Sequence, residues 1–552
     1  MIQPWNGQWR THRFAWLILG LIAIGAILFA GASTAGAHAS LTKTEPSADA
    51  RMDASPEAVR IVFNERLDTG GAKLFVLDEL SKQVAGGRDP ERIEQGKGLQ
   101  IPLPKLGEGH YTVSYSVISE DGHPISGAYV FTVGNPAPLP DASQLDPHKQ
   151  VGHSSHDHGG TALTDRLFLL YAARIVYYAA LLVFAGLLLW SVQRSPSETL
   201  KQARDKAIDI AGKFMLLAAL AYVFISMMDL MRGEPVSAWL DILTDTTTGR
   251  LYAATLLLGF AAPLVGGIGL AARLFWTAVM LFVEAWSGHA SVFKPVIYTV
   301  GLDYVHLVAA SLWSGGLILL YVVWRKERPE AGRFALVFSR WALLSFLVLW
   351  VTGILSTLDF LPSLAYLFYT AWGKWLIAKA AISLLVAIAA FLIRRRLARG
   401  DLPPNGLLKA DVGLLAAIVL TIGILTYQTP LPANEPLHYH EMGADLHVTL
   451  RVTPNAPGDN SYILKVWLPE TLGNPKQVQL RLLPAGREDV GFIDVPIKAF
   501  EDDEMDSFPE YAKFAFEAEG PYMPFAGEWK AQIRVTDSKG TELVRETTFR
   551  VY

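Results

Sequence analysis

From Leu302 to Trp324 the chain reads LDYVHLVAASLWSGGLILLYVVW, a run with the length and apolar character of a lipid-spanning helix that nevertheless carries Asp303 and His306 near its start. A helix needs roughly 20 mostly apolar residues to cross the hydrocarbon core. Further apolar stretches lie near 167–190, 207–228, 251–270, 272–287, 341–358, 373–393 and 411–427, which together predict an all-α bundle of about eight spans. The composition agrees: 552 residues, 51% hydrophobic, 18% charged, with a mean hydropathy of +0.27. A purely soluble enzyme does not fit these values. With 48 basic against 52 acidic residues there is no positive field to hold a nucleic acid. The absence of cysteine excludes disulfides, thiolate catalysis, zinc ribbons and iron–sulfur clusters. His, Met and carboxylates are left to do any metal chemistry.

The connections between the apolar runs alternate in charge. Arg194, Lys201, Arg204 and Lys206, then Arg273, then Arg325, Lys326, Arg328 and Arg333, then Arg394, Arg395, Arg396, Arg399 and Lys409 fall on one side. The acidic stretch from Asp229 to Asp245, the nearly neutral Gly288 to Gly301 and the loop around Asp359 fall on the other. Basic loops are retained inside, so the first span is predicted to run inward and both soluble ends to face outward across the cytoplasmic membrane.

Upstream of the bundle, Arg10 and Arg13 precede the apolar run Phe14 to Ala30, and Ala35-Gly36-Ala37 supplies a small-residue cleavage site. Residues 1–37 read as a signal peptide, with His38 as the new N-terminus. From 38 to 135 the alternation of Val59-Arg60-Ile61-Val62-Phe63 and Tyr111-Thr112-Val113-Ser114-Tyr115-Ser116-Val117 predicts an all-β, immunoglobulin-like sandwich of about seven strands. Residues 136–163 are rich in Pro, Asp, Ser, Gly and His and read as a flexible linker, and 164–429 hold the spans. After them, 430–552 alternate again, as in Tyr462-Ile463-Leu464-Lys465-Val466-Trp467-Leu468, and predict a second all-β sandwich.

Imidazole is the commonest protein metal ligand, and the histidines of this chain cluster. An N-terminal His38 would offer its amine and Nδ1 to one metal in a chelate ring. Asp121 and His123, two apart on an extended segment, would project to one face. Amine, two imidazoles and a carboxylate make a tetragonal nitrogen and oxygen set that suits Cu(II). In the linker, His153, His156 and His158 form a flexible metal-binding tract, with His148 just upstream. In the bundle, Asp303 and His306 share a helix face, and His289 lies one short loop earlier. Ionisable groups at membrane depth mark a site or a path by default. Met227, Met228 and Met231 could supply thioethers for Cu(I), although Met on a helix is ordinarily packing. His438, His440 and His447 follow the last span. The acidic run Glu501 to Asp506 reads as a solvated loop.

The first domain resembles the CopC family of extracytoplasmic copper-binding proteins. The resemblance rests on Ala37-His38-Ala39-Ser40-Leu41, on Ser47-Ala48-Asp49 through Pro56 leading into Val59 to Phe63, and on Val117-Ile118-Ser119-Glu120-Asp121-Gly122-His123-Pro124-Ile125-Ser126-Gly127 ending in Phe131-Thr132-Val133. It implies a Cu(II) site of His38, Asp121 and His123. Met52 is the single Met of this domain, which argues against the additional Met-rich Cu(I) site that some members carry. The membrane part is similar to the CopD family through Gly288-His289-Ala290, Asp303-Tyr304-Val305-His306, Trp313-Ser314-Gly315-Gly316 and Tyr369-Thr370-Ala371-Trp372-Gly373-Lys374. With a C-terminal sandwich similar to YtkA-like domains, the order matches the three-part YcnJ type of copper-uptake fusion.

Three classes of function follow. The leading one is a non-enzymatic copper handler that takes Cu(II) outside the membrane and mediates import and copper homeostasis, with a reductase or metallochaperone as partner. The second is copper resistance by sequestration without transport. The third is a haem-bearing electron-transfer protein with His289 and His306 as axial ligands.

Overall fold

A computed structural model describes residues 41–47, 50–63, 65–68, 70–80, 82–120, 122, 124–136, 165–193, 197–230, 239–361, 363–402, 405–431, 434, 436–485, 490–502 and 508–552. The predicted signal peptide, His38, Asp121, His123, the linker histidines and Met231 lie outside the described residues. The chain divides into two units, one made of the helices and one made of both β domains.

The first β domain pairs its strands in two sheets. One has the order β1 (Leu41–Glu45), β3 (Ala58–Phe63), β7 (Gly98–Pro102) and β6 (Glu91–Ile93). The other has β2 (Arg51–Met52), β9 (Pro124–Val133), β8 (Gly109–Ile118), β4 (Lys73–Leu77) and β5 (Gln83–Arg88). Alternate residues of these strands point inward. Val59, Ile61 and Phe63 meet Leu74, Val76, Val113 and Phe131 in a core that excludes water. Among the described residues the short β2 and β6 bring the count to nine, above the seven that alternation predicts, because strands of two or three residues are too brief to show a period.

The second β domain is built the same way. Its sheets run β10 (Leu437–Glu441), β11 (His447–Thr453), β12 (Gly458–Pro469), β16 (Tyr511–Met523), β15 (Lys498–Ala499), and β14 (Ile493–Val495), β13 (Gln477–Pro484), β17 (Gly527–Thr536), β18 (Glu542–Val551). Trp529, Tyr462, Leu450 and Leu482 fill its core. On the outer face of the first of these sheets Lys465, 1% exposed, pairs with Asp502 at 2.7 Å, and Lys513 reaches the same carboxylate at 3.0 Å. The acidic run read as a solvated loop therefore begins with a buried counter-ion. Asp502→Ala would leave a buried ammonium without its anion and is expected to cost about 3–5 kcal/mol. Faster proteolysis within 445–552 of the full-length protein would report it, and an unchanged rate would refute it.

The helical unit contains α1 (Asp165–Leu189), α2 (Glu198–Leu230), the short α3 (Trp239–Asp245), α4 (Thr247–Val265), α5 (Leu270–Ser287), α6 (Val296–Lys326), α7 (Arg328–Phe360), the short α8 (Tyr366–Tyr369), α9 (Ala371–Ala398) and α10 (Asn405–Leu425). Among the described residues eight helices are long and apolar enough to cross a membrane. Two extend well beyond their apolar stretches. In α2 the polar first turns continue the helix with i,i+3 and i,i+4 pairs, Lys201 to Glu198 and Lys213 to Asp209. An even number of spans returns the chain to the end where it entered: Gln428 Nε2, just past α10, donates to Tyr171 Oη near the start of α1 at 2.7 Å.

Candidate functional site

In the first β domain, the candidate ligands lie outside the described residues, but their neighbours in the chain are described. Leu41, the first residue of β1, pairs with Phe63 at the end of β3. Two residues on, Glu65 accepts a hydrogen bond from Ser119 Oγ at 2.9 Å, and Leu67 bridges to Ser119. Ser119 opens the β8–β9 turn, where Gly122 N–H returns to the Ser119 carbonyl at 2.9 Å and Gly122 takes φ +85°. That left-handed conformation explains a glycine between Asp121 and His123. The start of β1 and the tip of the β8–β9 hairpin thus share one end of the domain, three residues from position 38 on one side and within the turn on the other.

The second β domain holds His438 and His440 on one face of edge strand β10, both exposed. His440 Nδ1 lies 2.8 Å from Thr449 Oγ1. His447 is buried, its ring centroid 4.9 Å from that of Phe508 and 4.3 Å from that of Tyr511. Burial lowers its pKa, so the imidazole is held neutral. His438 lines a cavity of about 610 Å³ together with residues Leu41 to Glu45 of the first β domain, so the two β domains, far apart in sequence, meet where β1 begins.

In the helical unit the polar groups gather at the end where the chain enters and leaves. Glu284, near the end of α5 and buried, accepts a hydrogen bond from Tyr177 Oη of α1 at 2.7 Å, with Tyr178 also in hydrogen-bonding contact. Tyr177 stacks on Tyr222 of α2 at 4.3 Å. Arg174, one turn earlier on α1, lies over the rings of Tyr222 and Tyr427 at 5.7 and 5.2 Å and donates to the Thr426 carbonyl at 3.0 Å. Arg166 pairs with Asp229 at the end of α2, which also accepts from Tyr427 Oη at 3.3 Å. His289 joins this group, with Nε2 3.1 Å from the Gln428 carbonyl. A carbonyl only accepts, so Nε2 is the donor in this contact. The His-centred pattern of the sequence does not single out Arg174 or Glu284. Each, however, is a charge inside an apolar run, and that is the signal that finds them.

His306 lies elsewhere. Its Nδ1 is 2.8 Å from Thr352 Oγ1 of α7, and it faces a cavity between α6, α7, α9 and α10 that His289 does not line. Among the described residues no three His, Asp or Glu side chains group as metal ligands, so His289, Asp303 and His306 do not form the shared ligand set that their spacing suggested. The helical period accounts for it: Asp303 and His306 sit on α6 well inside the bundle, whereas His289 turns back toward Gln428 before α6 begins. Met227 and Met228 also separate, because adjacent helical residues point in different directions. Met227 is buried in the bundle and Met228 is 54% exposed on its outer surface.

Eight spanning helices and two β-sandwiches define a multi-pass membrane protein with a composite extramembrane unit. The chain belongs to the CopC family, with residues 41–134 matching the CopC domain. Copper resistance protein C of Escherichia coli is 33% identical over 124 residues, which cover 20% of this chain and 94% of that protein. Similarity to the Copper transport protein CutJ of Bacillus subtilis (strain 168) extends through the helices as well, at 24% identity over 532 residues, 91% of this chain and 93% of that one. The crystal structure of CopC from Methylosinus trichosporium OB3b is 31% identical and covers 18% of this chain and 99% of its own, with a TM-score of 0.17.

Proposed function

We propose that this protein captures Cu(II) outside the cytoplasmic membrane with His38, Asp121 and His123 and mediates copper import. The observation that carries the reading is similarity along nine-tenths of the chain to a protein named for copper transport. A sequestering anchor would need one span and no buried charges, whereas this bundle keeps Arg174 and Glu284 in its spans. Polar groups in lipid persist where they line a path or satisfy one another. The entry to that path is the polar end formed by Asp229, Glu284 and His289, where carboxyl groups and an imidazole offer oxygen and nitrogen to an arriving ion. His438, exposed beside β1, is placed to receive copper leaving the first domain. Basic residues Arg325, Lys326, Arg328, Arg333 and Arg394 to Arg396 crowd the opposite end of the bundle, which supports that end as the cytoplasmic one.

Cells expressing the protein are expected to accumulate cytosolic copper, and Glu284→Ala or His289→Ala to reduce the uptake rate by about tenfold or more while surface-bound copper stays unchanged. Raised surface copper with unchanged cytosolic copper in the wild type would establish sequestration instead. Wild-type uptake in both variants would remove the path.

A further inference from the structure

The cavity that His306 faces has a volume of about 400 Å³, within the range of small-molecule sites. Its walls are almost wholly apolar and include the flat rings of Trp313, Phe346 and Trp350. Several lining residues, Ile354, Leu358, Leu364 and Ile377 among them, are also exposed on the outer surface of the bundle. On a surface of this hydropathy that side faces acyl chains, so the cavity opens into lipid and not into water.

The polar groups inside are few and have fixed roles. Thr352 Oγ1 donates to the Val348 carbonyl at 2.8 Å, so it can only accept from His306. Nδ1 of His306 therefore carries the proton, and Nε2 presents a lone pair. Lys379 of α9, half-buried at the cavity wall, contributes an ammonium donor, and Asp303, one turn before His306, is within electrostatic reach of it. The hydroxyls of Thr357 and Ser383 donate to the Gly353 and Ala380 carbonyls at 2.7 and 2.8 Å and keep acceptor capacity toward the cavity. A bare copper ion is poorly matched to this set, because a cation repels Lys379 and no second imidazole or carboxylate lines the wall among the described residues.

We propose that this cavity binds the head group of an isoprenoid quinol, a flat apolar ring with hydroxyl oxygens at opposite edges. One hydroxyl donates to His306 Nε2, the other oxygen accepts from Lys379, the ring lies among Trp313, Phe346 and Trp350, and the tail leaves through the lipid-facing mouth. A phospholipid head group would bring a hydrated phosphate to a wall with a single ammonium. A fatty carboxylate would pair with Lys379 and leave His306 without a donor. The inference does not rest on the copper reading, and its test uses no copper.

Full-length protein purified in detergent is extracted with organic solvent for quinone analysis, then titrated under anaerobic, reducing conditions with a decyl-substituted benzoquinol and with menadiol. Trp313 and Trp350 supply the signal through quenching of their fluorescence. Near-stoichiometric quinone in the extract and saturable quenching are expected, with quenching lost in Trp313→Phe/Trp350→Phe protein. Lys379→Met and His306→Gln are each expected to weaken binding by about tenfold or more. Should either variant aggregate on size exclusion, Ser383→Leu, which fills the cavity from α9, is expected to give the same loss. Wild-type affinity in the variants, fatty acid alone in the extract, or a Soret band showing haem in the cavity would each overturn the assignment.

Discussion

Replacing His38 with alanine, or adding a single residue before it, is expected to weaken Cu(II) binding by the N-terminal domain at least about 100-fold, some 2.7 kcal/mol or more. Both changes destroy the same object. The chelate ring needs an α-amine and an imidazole on one residue, and an added residue moves the amine away while leaving the imidazole in place. If His38 acted as an ordinary side-chain ligand, only the alanine variant would lose affinity, so the pair of variants separates the two cases. Affinity should also fall with acidification, because protons compete for an amine of pKa about 8 and imidazoles of pKa about 6.5. Among the described residues, the start of β1 at Leu41 and the turn residues Ser119 and Gly122 lie at one end of the sandwich. A competition titration followed by Cu(II) absorption measures the loss. Equal affinity in the extended variant, or a mature chain that begins at any residue other than His38, would sink the chelate.

Periodicity made much of this architecture readable. Val59 and Ile61 alternate with the exposed Arg60 because one face of β3 packs into the core, and the runs of twenty apolar residues can satisfy their backbones in lipid only as helices. The short strands β2, β6, β14 and β15 left no such trace. Pairing with a neighbour, not their own pattern, makes them strands. Site residues divide the same way. Asp121 and His123 can be proposed from the sequence because only Gly122 separates them. The group around Glu284 cannot be, since its partners come from α1, α2 and the segment after α10, far from it in the sequence in both directions. The opposite directions of Met227 and Met228 follow from helix geometry alone, and their proximity in sequence concealed it. Nor does any local pattern place His438 beside β1, a contact made only when the two β domains fold against each other.

Gly315→Ala and Gly186→Ala are expected to destabilise the bundle by about 3 kcal/mol or more, beyond what a methyl group ordinarily costs, because no space exists for either Cβ. α1 and α6 touch here backbone to backbone. A Cβ on Gly186 would collide with the Ser311 carbonyl and lie 2.8 Å from Gly315 Cα, and one on Gly315 would lie 2.5 Å from Gly186 Cα. Small residues let spanning helices approach this closely, and dispersion between the backbones replaces the hydrophobic drive that lipid does not supply. Ser311 and Ser314 are fully enclosed beside the crossing, and Trp190 Nε1 fastens the end of α1 to the Leu312 carbonyl at 2.9 Å. At roughly 2–4 °C per kcal/mol for a domain of this size, the melting midpoint in detergent should fall by about 6 °C or more. Gly413 of α10 has open space around the same position, so Gly413→Ala should leave the midpoint unchanged and serves as the control. The consequence reaches both functional regions. Tyr177 precedes Gly186 by nine residues on α1, and His306 precedes Gly315 by nine on α6, so the crossing sets the relative height of the Glu284 cluster and the His306 cavity, each roughly 13 Å away along its helix. Forcing the helices apart should therefore lower copper uptake and quinol binding together, whereas Glu284→Ala should lower only the first and Lys379→Met should weaken quinol binding. A Gly315→Ala protein with wild-type melting would show that the two backbones are not in contact, and the coupling between the regions would have to be carried by other helices.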